Sequence, residues 1–244
     1  GATVPVPTGL VIYVDAAPLP GATGGVTREV LLAKSIGGTT NRELPLGTFT
    51  TRTPSVGASY TVDSNMLDAR KYAGEGNAYI EGVLGGRVTI GAAQSIVVTG
   101  DLVLKNGPQS TDILGLVATN SVEIMHPSMA TVTANSKGTS WNAPTGGDEW
   151  SGSQKWPTRI VDPARGSIYP TSGIQVAASI QTLQHSFTVQ YYKLGSSSIG
   201  DLYVRGSIAQ RWRGAVGTSS GGVPKTGYAK DYRYDTRLTY TAPP

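Results

Sequence analysis

The stretch GDLYVRGSIAQRW, residues 200–212, decides how this chain folds. Two short runs rich in Val, Leu, Ile and Tyr meet at Gly206, and the same phrase recurs elsewhere. YIEGVL at 79–84 matches YVRGSI at 203–208, and TGDLVL at 99–104 matches IGDLYV at 199–204. In each, a glycine stands between two short apolar strands. A parallel β-helix needs this pattern: each coil supplies short strands joined at tight corners, and glycine tolerates the positive φ a corner demands. Coils stack roughly 4.8 Å apart through backbone hydrogen bonds, with aliphatic residues in rows inside. Each coil buries its apolar face only against its neighbours, so repeats accumulate along one axis.

Other segments fit the same reading. RVTI, SIVVTGDLVL, ILGLVATNSVEIMH, SFTVQYYKL and YAKDYRYDTRLTY are short, rich in β-branched and aromatic residues, and separated by Gly, Asn or Ser. An antiparallel sandwich competes, because its strands are also short. Asn-Gly occurs only in KNGP and Asp-Gly is absent, so the two-residue hairpin signal is weak and the solenoid is favoured. Helical periodicity is faint: TREVLLAKSI at 27–36, with Thr27 as a cap, and SNMLDARKYA at 64–73 are the two candidates. The expectation is one elongated all-β domain, a parallel β-helix or β-solenoid. Residues 1–75 form an irregular N-terminal cap, and 76–126 and 173–244 form the coils. Residues 127–172 form a long loop insertion, and YTAPP ends the chain with prolines that stop further pairing.

Composition narrows the class. The 244 residues are ample for one sizeable core. With no cysteine, disulfide frameworks and cysteine metal sites are excluded. Only 15% of residues are charged, beside 32 Gly, which suits an all-β exterior. No apolar run is long enough to span a membrane. The first residue is Gly1, which reads as the start of a trimmed or processed product. The net charge of +4 is uneven: residues 193–244 hold 8 Lys/Arg and 3 Asp/Glu, whereas the rest is close to neutral. Such an excess attracts polyanions.

Four phrases in order carry a family resemblance: RVTIGAAQSIVVTGDLVL, DILGLVATNSVEI, LQHSFTVQYYKLGSSSIGDLYVRGSIAQRWRGAVGT, and GYAKDYRYDTRL with a closing PP. Together they resemble a bacterial family of surface-exposed β-solenoid domains, found in proteins related to type IV pilus assembly factors and competence-associated minor pilins. The resemblance covers about residues 77–126 and 174–244. It implies an extracellular, cell-surface or pilus-associated location, with adhesion or DNA uptake as the setting. It also implies attachment to pilus or envelope proteins through an N-terminal hydrophobic helix that this chain lacks. The 127–172 insertion is longer and richer in Trp than the family pattern, and the resemblance carries no catalytic motif.

Candidate chemistry is sparse. His126 and His185 have no metal-ligand partner spacing, and no phosphate loop, EF-hand loop or nucleophile elbow is present. No catalytic residue, metal ligand or cofactor is therefore expected. Asp101 and Asp201 follow Gly in matching phrases. Stacked coils could align them as a glycosidase-like pair, or each could support its corner by bonding its own backbone. Asp148 and Glu149 are adjacent and point to opposite sides of an extended chain. Trp141, Trp150 and Trp156 lie in the insertion, either as rivets holding it to the wall or as platforms for sugars or a partner.

The basic end holds the remaining candidates. Around QRWRGAVGT, residues 210–218, alternation places Arg205, Arg211 and Arg213 on the outer side and Trp212 inward, since unpaired guanidinium groups are costly to bury. In GYAKDYRYDTRL, Tyr228, Lys230, Tyr232 and Tyr234 share one face, and Asp231, Arg233 and Asp235 form a self-satisfied ladder on the other. Cations beside exposed rings suit single-stranded nucleic acid or an anionic surface glycan. The expected function is a non-enzymatic module presenting this face, with Arg205, Arg211, Arg213, Tyr228, Lys230, Tyr232, Tyr234 and the three insertion tryptophans as candidate ligand contacts. A carbohydrate-active β-helix enzyme and a purely structural spacer are the alternatives.

Overall fold

The structure is a computed structural model that describes residues 9–15, 59–63, 76–126, 128–135, 138–141 and 173–244. Among them the chain is all-β, with one short 3-10 turn at Thr236–Thr239 and no α-helix. The expected helices at 27–36 and 64–73 lie outside the described residues, as do Asp148, Glu149, Trp150 and Trp156.

Ten strands form one sheet in which every pairing is parallel: β1 (Leu10–Val14), β3 (Ala78–Leu84), β4 (Arg87–Ala92), β5 (Ile96–Leu104), β6 (Ile113–Ala118), β7 (Val122–Ile124), β10 (Gly173–Thr182), β11 (Phe187–Val189), β12 (Asp201–Gln210) and β15 (Ala229–Tyr234). Their registers build three recurring rows. One runs Ile12, Ile90, Leu116, Ile180, Ile208. A second runs Ala78, Ile96, Val122, Phe187. The third runs Gly82, Leu102, Val176, Val204, Tyr232. Ile96 to Val122 and Ile90 to Leu116 are each 26 residues, and Val176 to Val204 to Tyr232 are 28 each. Leu116 to Ile180 is 64, Val122 to Phe187 is 65 and Leu102 to Val176 is 74, all three spanning the insertion, and Ile12 to Ile90 is 78.

Period-2 alternation explains the core. Ile96, Val98, Leu116, Ile124, Ile174, Ile180 and Leu202 are buried together in a single cluster. Burying each such side chain stabilises the fold by about 1.5–3 kcal/mol. Of the matching glycines, Gly82, Gly200 and Gly206 take the positive φ the sequence suggests, whereas Gly100 does not. Gly206 has φ of 159°, and a Cβ there would stand 1.7 Å from the carbonyl oxygen of Ala178.

Three expectations need correction. The segment assigned to an irregular cap contributes β1, which pairs with β4, and β2 (Ser59–Asp63). The insertion is not only loop: β8 (Met129–Asn135) and β9 (Gly138–Trp141) join β2 in an antiparallel sheet, with Trp141 in register with Val132. Hairpins also occur. β13 (Gly217–Ser220) and β14 (Val223–Gly227) are antiparallel across Gly221 and Gly222, whose φ values of 57° and 79° suit a tight hairpin turn without Asn-Gly or Asp-Gly.

After β15 the chain does not simply stop. Residues 235–244 return across earlier strands as a strap. Arg237 Nη1 donates to the carbonyls of Ser110 and Asp112, Arg87 Nη2 to Ala242 and Thr89 Oγ1 to Pro244.

Candidate functional site

The last parallel strand creates the basic–aromatic face. In register, Lys230 stands over Leu202, Tyr232 over Val204 and Tyr234 over Gly206. Leu202 and Val204 belong to the buried core. Among the described residues β15 pairs only with β12, so the rows that are interior elsewhere emerge here at the surface. Tyr232 is 41% exposed and Tyr234 56%. Tyr232 remains anchored, because its ring meets Phe187 edge-on at 6.2 Å between centroids.

Arg213 completes the cluster. It stands close enough to Lys230 that burial, followed by the Arg213 charge, holds the lysine below its ordinary value of 10.5. Burial raises the Tyr232 hydroxyl above its ordinary range, partly opposed by Arg213. Neither the Arg213 guanidinium nor the Lys230 ammonium has a hydrogen-bond or ion-pair partner among the described residues. Two neighbouring cations without an acid, edged by tyrosine rings, form a surface suited to an anion.

The structure sorts the other candidates. Tyr228 is not on this face: it is 3% exposed, and its hydroxyl donates to the carbonyl of Met125 at 3.0 Å. It precedes the strand, so the alternation that aligns Lys230, Tyr232 and Tyr234 does not include it. Trp212 does not pack inward and is 61% exposed, with the Arg211 guanidinium 5.8 Å from its ring centroid. The reason is local. β12 ends at Gln210, whose Oε1 accepts from Phe187 N and Gly214 N, while Trp212 N donates to His185 O. The backbone bends over the 185–187 segment, and strand alternation stops before Trp212. Arg211 and Arg213 are exposed as expected, whereas Arg205 is only partly exposed, with its Nε enclosed and beside Asp235.

The expected Asp231–Arg233–Asp235 ladder divides. Arg233 pairs with Asp231 at 3.2 Å and covers the ring of Tyr203. Asp235 instead takes Arg237, at 2.6 Å, at the start of the strap.

Asp101 and Asp201 are not brought together. Asp101 is buried and accepts from Gln175 N at 2.9 Å and Gln175 Nε2 at 3.2 Å. It thus supports the next parallel strand. Asp201 is in register with Gly173, on the far side of β10 and two residues along it from Gln175. His126 is buried and His185 exposed, and no group of acidic or histidine side chains among the described residues could hold a metal.

One concavity was missed by sequence reasoning. A groove of about 570 Å³ lies between the strap and the strands beneath it, lined by Arg87, Ser110, Thr111, Ile113, Arg237, Tyr240 and Thr241. These residues come from three distant segments and share no local motif. Comparisons with protein-family models, with curated proteins and with solved structures returned no match.

Proposed function

We propose that this chain is a parallel β-helix acting as a non-enzymatic binding module at the cell exterior, with an anionic polymer as the ligand of its C-terminal end. The solenoid reading is supported by the three parallel rows and their steps of 26 and 28 residues, which a chain winding about one axis would generate. Placement at the cell surface, in a pilus-related or envelope protein, rests on the sequence resemblance alone.

The observation that carries the binding reading is the pairing of Arg213 and Lys230, unpartnered by acids, beside Tyr232 and Tyr234. Single-stranded nucleic acid suits this chemistry best, because bases stack on rings while phosphates meet cations. Trp212 with Arg211 extends the same chemistry along the neighbouring corner.

The test is retention of a labelled single-stranded oligonucleotide at ~50 mM salt, where phosphate-driven binding is strongest. The wild-type chain is expected to retain it. Arg213→Gln with Lys230→Gln should weaken it and flatten the salt dependence by about 0.7 in log–log slope per cation removed. Absence of retention by the wild-type chain at that salt would remove the nucleic-acid reading.

A further inference from the structure

We propose that the groove between the strap and the strands beneath it is a second binding site, which takes a carboxylated sugar. It is separate from the terminal basic–aromatic face and stands whether or not that face binds a polymer.

Charge comes first. The groove has two arginines, but only one has charge to spare. Arg237 is spent: Nε and Nη2 donate to the Asp235 carboxylate, and Nη1 to the carbonyls of Ser110 and Asp112. Arg87 is not. Of its three nitrogens only Nη2 has a partner among the described residues, the carbonyl of Ala242 at 2.8 Å, and Nε is enclosed without one. The Asp112 carboxylate accepts from Gly86 N, Asn106 N and Asn106 Nδ2 rather than from Arg87. One guanidinium without a carboxylate partner among the described residues matches one negative charge, hence a carboxylate rather than a phosphate dianion.

The lining supplies the rest. Tyr240 stands at the groove with 90% of its surface exposed, an open ring held to the strap by its backbone. Thr111 and Thr241 add hydroxyls to the lining, whereas the Ser110 hydroxyl is already engaged with Gly107 O and Asp112 N. An aromatic platform ringed by hydroxyls suits the apolar face and the hydroxyls of a pyranose. The volume falls in the ~300–1,000 Å³ range of small-molecule sites.

The experiment titrates the full chain calorimetrically with galacturonate, with neutral galactose and with acetate. Galacturonate is expected to bind at least about tenfold more tightly than either, since each control lacks one half of the recognition. Arg87→Gln should cost at least about tenfold, and Tyr240→Ala should weaken binding several-fold. Arg213→Gln with Lys230→Gln should leave it unchanged, which separates this site from the terminal face. Arg87 also holds Ala242, so its variant could release the strap. Tyr240 is exposed and its variant should keep the fold. Equal binding of galactose or of acetate overturns the proposal, as does unaltered affinity in Tyr240→Ala or no galacturonate binding at all.

Discussion

Tyr232 stands in register with Val204 and rests edge-on against Phe187, with ring centroids 6.2 Å apart and planes at 64°. A core row therefore ends in a side chain that is apolar beneath and open above. Both roles are testable in one residue. Tyr232→Ala should destabilise the chain by about 1–3 kcal/mol, from lost ring contact and apolar burial. Tyr232→Phe keeps the ring, and its hydroxyl has no hydrogen-bond partner among the described residues, so stability should stay within about 0.5 kcal/mol of wild type. Urea denaturation of the two variants checks this. Equal losses would mean that the ring contact contributes nothing.

Gly206 and Gly82 occupy the same place in their matching phrases, yet their surroundings differ. A Cβ at Gly206 meets the backbone of Ala178, whereas one at Gly82 meets nothing within 4 Å, although φ there is 126°. Gly82→Ala should cost about 1–3 kcal/mol, the strain of the backbone conformation alone. Gly206→Ala adds a clash with backbone that has to move, and should cost at least 1–3 kcal/mol more. Thermal melts of the two variants separate strain from close approach. A smaller effect at Gly206 would contradict the tight stacking of β12 on β10.

The Gly206 phrase shows how much the sequence disclosed. Local features were legible: strand content, glycine between apolar runs, and exposed Arg211 and Arg213 follow from composition and alternation. Features that depend on where distant segments return were not. Tyr228 is buried and Trp212 exposed because each lies just outside its strand, where strand alternation no longer sets the side-chain direction. The hairpin turns on Gly221 and Gly222 and carries neither Asn-Gly nor Asp-Gly. Arg213 and Lys230 meet only because that hairpin separates them. The groove was invisible for the same reason: Arg87, Ser110 and Tyr240 carry no shared motif, and YTAPP reads as a stop rather than a returning strap.

The strap begins at a largely enclosed ion pair, which gives the chain an acid sensitivity. Burial would raise the Asp235 carboxyl, but hydrogen bonds from the Arg237 side chain and backbone, aided by the charges of Arg237 and Arg205, hold it below 3.8. Asp112 is held low in the same way, with bonds from Gly86, Asn106 and Ser110 outweighing burial. A lowered folded value means that the unfolded chain binds the proton first. The stability these aspartates contribute is present above pH ~4 and is lost as pH falls through their folded values. The melting temperature should therefore fall below that pH. Asp235→Asn should lower it already at pH 7, by about 2–4 kcal/mol of stability once the exposed side of Arg237 is discounted, and should make the acid drop shallower. An unchanged acid limb in Asp235→Asn would assign the sensitivity elsewhere.

Lys230 gives a second pH dependence, of opposite sign and in binding rather than folding. Burial and then Arg213 lower its value below 10.5, so the ammonium is held less firmly than in a free lysine. A polyanion on the face favours the charged form, and by linkage its affinity should fall as pH rises through the lowered lysine value. Lys230→Arg should abolish that fall, because a guanidinium keeps its proton throughout this range. Arg213→Gln should move it to higher pH, since one of the two causes of the lowering is then gone, while weakening binding overall. Oligonucleotide titrations from neutral pH to about 10 at fixed salt distinguish these outcomes. If Lys230→Arg kept the wild-type profile, the titrating group would lie elsewhere, and the assignment of Lys230 to the contact surface would fail.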